Sequence, residues 1–128
     1  MSPLRRRRER LADDAPVVVR GGELSGVELR GDAIRTFRRF GEYGVSVLAA
    51  PTSEDLEELE RSTLQRFEVV TLMAVGTIRA AGLELVPTFR RPHYTVLLPE
   101  LDSDIERLLG CNNEIRRNPH FRSGGLEP

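Results

Sequence analysis

Hydrophobic and polar positions change their period several times along the chain, and each change predicts an element. Val17-Val18-Val19 is an unbroken β-branched run stopped by Gly21-Gly22, the mark of a short strand covered on both faces. From Ser25 a helical period takes over. Leu24, Val27, Ile34, Phe37 and Phe40 fall at spacings compatible with one helix face. Gly31-Asp32 is expected to interrupt that helix, with Asp32 capping a second piece, and Gly41 to end it. Tyr43–Ala50 reads as a second strand closed by Pro51. Thr52, with Asp55 three residues on, predicts a capping box for a helix whose apolar stripe is Leu56, Leu59 and Leu64. Glu54, Asp55, Glu57, Glu58 and Glu60 then load its solvated side with charge that the helix dipole favours.

Phe67–Val75 is the most hydrophobic strand. A single helical turn, Ile78–Ala81, follows between Gly76 and Gly82. Leu83–Val86 and His93–Leu98 read as a hairpin whose loop, Pro87–Pro92, carries Arg90-Arg91 at its tip. Ser103 is expected to cap a last helix with Ile105, Leu108 and Leu109 inward and Gly110 as its stop. Beyond Cys111 the pattern decays. The predicted order is β-α-β-α-β-α-β-β-α: an α+β single domain over residues 17–121, with about five strands in one mixed sheet and three to four helices. Residues 1–16 and 122–128 read as disordered tails.

Composition narrows the chemistry. All 19 basic residues are arginine, and the chain has no lysine and no tryptophan. A lysine Schiff base and a P-loop are therefore excluded. One cysteine, Cys111, excludes an internal disulfide and a thiolate-rich metal site, and suits a reducing cytoplasm. Two histidines are too few for a histidine-built centre, so no metal is expected. No apolar stretch approaches the roughly 18–20 residues of a membrane span. The net charge of −1 conceals an asymmetry: residues 1–10 hold five arginines and one glutamate, whereas residues 11–60 hold five arginines against eleven acids. The basic run reads as a solvated tail, or as upstream sequence included by an early start site, rather than as a nucleic-acid arm.

Three candidate catalytic residues lie on successive strands: Arg20 before the paired glycines, Ser46 after the aromatic-glycine pair Tyr43-Gly44, and Glu68 at the start of the third strand. This arrangement resembles the arginine–serine–glutamate pattern of ADP-ribosyltransferases. The resemblance implies NAD as the bound dinucleotide, with Arg20 gripping its phosphates, Ser46 positioning the nicotinamide end and Glu68 stabilising an oxocarbenium-like transition state. The underlying chemistry is a planar bidentate cation for an anionic cofactor and a fixed carboxylate for a developing positive charge. Candidate binding residues are Tyr43, the loop cations and ring Arg90, Arg91 and His93, and His120 within a second basic-aromatic stretch.

Taken whole, VVVRGGEL, YGVSVLAA, TIRAAGLELVPT and PHYTVLLP resemble a set of short actinobacterial proteins, which brings no activity with it. The leading expectation is a small cytoplasmic interaction or regulatory module, of the toxin–antitoxin kind, with a protein partner and no cofactor. The alternative is an ADP-ribosyltransferase-like enzyme using Arg20, Ser46 and Glu68. Nucleic-acid binding through the arginine tail ranks third because the body is acidic. No membrane contact is expected, and a homodimer stays open.

Overall fold

A computed structural model of the chain describes Arg5 and residues 9–122. The elements are β1 (Pro16–Gly21), α1 (Gly26–Phe40), β2 (Gly44–Ala49), α2 (Ser53–Arg61), β3 (Val69–Ala74), α3 (Val75–Ala80), β4 (Glu84–Pro87), β5 (His93–Leu97), α4 (Leu101–Leu109) and β6 (Glu114–Arg117). The α+β class and the single domain hold. The sheet has six strands, in the order β4-β5-β2-β1-β3-β6, and it is antiparallel throughout rather than mixed. The additional strand, β6, carries one apolar residue among four, so it offers no strand period to read.

Helices cover both faces. Val17 and Val19 of β1 join Leu29, Ala33, Ile78, Ile105 and Leu108 in one core, beneath α1, α3 and α4. Val18 points the other way and packs with Val70, Leu72, Leu56 and Leu59 beneath α2. The triple valine is thus buried on both faces, as its pattern predicts.

Several local details differ from expectation. Helix α1 runs unbroken through Gly31-Asp32, with Ser25 as its N-cap; one interior glycine costs only about 1 kcal/mol, too little to break a helix packed on a sheet. Its buried residues are Leu29 and Ala33, whereas Val27 and Phe37 of the expected stripe are 83% and 44% exposed. Thr52 and Asp55 form the full capping box. Ser103 lies inside α4 and caps nothing; Glu100 is the N-cap, and its N–H donates to Asp104. Residues 9–16 are no tail. Tyr94 donates to Glu9, Arg79 pairs with Asp13, and Ala15 is buried. The rest of the arginine run and residues 123–128 lie outside the described residues. Among those described, no helix is long and apolar enough to cross a membrane.

Candidate functional site

The register of β1 determines what becomes of Arg20. Val18 faces Leu72 on β3, but Arg20 already faces Thr71, so Val19 is the extra residue of a β-bulge. A bulge turns the strand and re-aims its side chains. Arg20 swings to α1, where Nη2 donates to Glu28 and Nη1 lies 4.0 Å from Asp32. Past the bulge β1 and β2 no longer pair: their partners are Val17↔Ala49 and Val18↔Leu48 only. The gap is filled from α1. The Ser46 N–H, without a carbonyl across from it, donates to Asp32 Oδ2 at 3.0 Å. Asp32, expected as a helix cap, instead satisfies a strand donor. Gly21 lies under the ring of Phe67, where a Cβ would come within 2.3 Å, and Gly22 takes a φ of 88°.

The result is a cavity of about 300 Å³ lined by Arg20, Asp32, Arg35 and Ser46 against apolar walls that include Leu48 and Phe67. Arg20 and Ser46 therefore come together, while Glu68 is exposed and does not line that cavity. The guanidinium meets two carboxylates there, and its Nε is buried without an acceptor among the described residues. The Ser46 side chain is exposed.

The binding candidates separate into two places. Tyr43 stacks on Phe37, with ring centroids 4.4 Å apart. Three residues further along α1, Phe40 meets Phe89 edge-on at 5.7 Å, and Phe89 meets His93 at 4.9 Å. Rings from the end of α1, the start of β2 and the β4–β5 loop thereby line one end of the molecule. Phe37 is 44% and Phe89 50% exposed. Phe37, Glu42, Tyr43, Leu97 and Pro99 wall a cavity of about 260 Å³, with Glu42 paired to Arg5. Phe89 holds its ring out from a left-handed backbone, φ 50°, a conformation that costs a bulky L-residue on the order of 1–2 kcal/mol.

The cations around these rings are exposed. Arg39 lies over Phe40 at 5.2 Å. Arg38, Arg39 and Arg90 have no carboxylate within ion-pair reach among the described residues. Arg91 pairs with Glu9 and borders a separate cavity of about 560 Å³ with Tyr94 and Leu59. His93 is tied inward, its Nδ1 lying 2.6 Å from the Thr88 hydroxyl.

His120 stands elsewhere, with Nε2 3.4 Å from Glu57. Its surroundings are a structural knot that the charge pattern conceals. Glu60, grouped by sequence with the solvated acids of α2, is fully buried. Arg116 of β6 donates to it through Nε and Nη2. That bidentate pair holds the Arg116 guanidinium above its ordinary value, the hydrogen bond to Glu60 being the main cause. Buried Asn118 donates to the carbonyls of Glu60 and Leu64. Cys111 is buried too, and burial pushes its thiol up, away from the thiolate that nucleophilic chemistry needs.

Sequence reasoning missed Phe37 as a surface residue, since aromatic residues at helical spacing read as core, and made no reading of Phe89. The one available signal was their sequence neighbours: Arg38-Arg39 and Arg90-Arg91. No protein-family model matches the chain, and neither the curated proteins nor the solved structures give a match to it.

Proposed function

We propose that the protein is an interaction module whose working surface is the aromatic and arginine end formed by Phe37, Phe40, Tyr43, Phe89 and His93 with Arg38, Arg39 and Arg90. The observation that carries this reading is Phe89: a half-exposed ring kept on a left-handed backbone between Phe40 and His93. A bulky ring held half-exposed on a left-handed backbone is a pointer to function. Exposed aromatics and arginine are also the residue types that anchor protein interfaces.

Charge and shape support one kind of partner. Arginines without carboxylates favour an acidic segment, and the cavity beside Phe37 and Tyr43, whose Glu42 is paired with Arg5, accepts one apolar side chain. The partner is therefore a protein segment that is both acidic and apolar. A random peptide library displayed on phage tests this. Selection on the wild type is expected to enrich acidic sequences with an aromatic or aliphatic anchor, and selection on a variant with Arg38→Glu and Arg39→Glu is expected to lose them. Equal enrichment on both proteins contradicts the reading.

A second reading, the ADP-ribosyltransferase-like enzyme, keeps one observation in its favour: Arg20 and Ser46 line the same cavity. Glu28 and Asp32 occupy the guanidinium where the resemblance calls for phosphates. Transfer of label from NAD to an acceptor, abolished by Glu68→Gln, is the result that would favour it over the interaction module.

A further inference from the structure

The sheet ends at β6, and the backbone direction of that strand follows from its ladder with β3. The Asn118 N–H donates to the Glu68 carbonyl, continuing the pairing Val69↔Arg117 and Val70↔Arg116. Residues that bond across an antiparallel ladder alternate with residues that do not. Glu114, Arg116 and Asn118 therefore turn their backbone groups toward β3, and Asn113, Ile115 and Arg117 turn theirs outward. The far side of β3 agrees, since the Val69 carbonyl accepts from Gly22, on the β1 side. Among the described residues, nothing pairs with the outer edge of β6.

We propose that this edge pairs with the same edge of a second copy of the chain, antiparallel, about a two-fold axis at Ile115. An isologous contact sets the same edge against itself, and an antiparallel ladder sets outward residues opposite outward residues. The strand then has four registers, centred on Glu114, Ile115, Arg116 or Arg117. Centring on Glu114, Arg116 or Arg117 sets that charged residue opposite itself, and like charges directly opposite are destabilising. Centring on Ile115 sets Ile115 against Ile115 on one face and Glu114 against Arg116, twice, on the other.

The side chains fit that register. Ile115 is 51% exposed. Glu114 is exposed and makes no ion pair among the described residues. Arg116 commits Nε and Nη2 to Glu60, which leaves Nη1 for Glu114 of the second copy. Charges on an edge strand ordinarily keep other chains off; here their order along the strand admits one register and rejects its neighbours.

Sedimentation equilibrium of the full chain across a concentration series tests the pairing. The average mass is expected to rise from monomer toward dimer. Ile115→Pro is expected to stay monomeric with an unchanged thermal midpoint, because the N–H it removes points away from β3. Mild oxidation of Ile115→Cys is expected to give a cross-linked dimer, with buried Cys111 taking no part. Arg117→Cys is expected to give none, since Arg117 faces Asn113 in this register. A wild type that is monomeric throughout, an Ile115→Pro variant that still dimerises, or cross-linking through Arg117→Cys in preference to Ile115→Cys overturns the proposal. Should Ile115→Pro fail to fold, the two cysteine variants decide alone.

Discussion

Arginine does opposite work at the two ends of this sheet. At the α2–β6 end Arg116 is spent on Glu60, a carboxylate with no solvent exposure, and Asn118 ties the same turn of backbone down. At the end formed by α1 and the β4–β5 loop, Arg38, Arg39 and Arg90 face solvent beside rings that are themselves half exposed. One end uses charge to fix a short edge strand to a helix. The other leaves charge and apolar area exposed together. The basic stretches Arg38-Arg39, Arg90-Arg91 and Arg116-Arg117 look alike as sequence; burial of the nearest carboxylate separates them.

Substitutions should separate the two ends by size of effect. Arg116→Ala leaves Glu60 buried without its partner and is expected to cost about 3 kcal/mol, the lower part of the range for breaking such a pair because the guanidinium is partly exposed and water can follow it in. Urea unfolding measures this, and a loss below about 1 kcal/mol would show that the pair is ordinary surface charge. Asp32→Ala removes the acceptor for the Ser46 N–H and the bracket around Arg20, with an expected loss of about 2 kcal/mol by the same measurement.

At the aromatic end stability should hardly move while binding disappears. Phe89→Gly gives up two ring contacts but relieves the left-handed backbone, so its net effect on unfolding is expected to stay within about 1 kcal/mol. The double variant with Arg38→Glu and Arg39→Glu is expected to stay within about 0.5 kcal/mol of the wild type. The smallest effect concerns Cys111. Its thiol, raised by burial, is expected to react slowly with a disulfide reagent until the protein unfolds. Because the folded state holds that proton more tightly than the unfolded chain, stability is unaffected below the free-thiol value near about 8.5 and falls as pH rises past it. Cys111→Ala is expected to remove that slope.

Much of the fold was legible because its signals are local. The triple valine, the Thr52–Asp55 box and the hairpin around Arg90-Arg91 each carry their own physical reason. Strand β6 was not, since Glu114-Ile115-Arg116-Arg117 has no apolar period and forms only because β3 and Glu60 are there to receive it. The interior of α1 misled for the same reason: Leu29 and Ala33 are the buried face, and only the sheet beneath them decides it. Of the candidate site, the closeness of Arg20 and Ser46 follows from adjacent strands. The bulge at Val19 and the insertion of Asp32 between β1 and β2 depend on tertiary packing and leave no mark in the sequence. Phe89 was hidden because its meaning lies in a backbone angle.

The claim that the aromatic end is the working surface is tested most directly by titrating isotope-labelled protein with a peptide selected on the wild type, following backbone amide shifts. The expected perturbations lie at Phe37, Phe40, Tyr43, Phe89 and His93 and vanish in Phe89→Gly. Shifts confined to Glu60 and Ile115–Asn118, or equal affinity for wild type and Phe89→Gly, would contradict it.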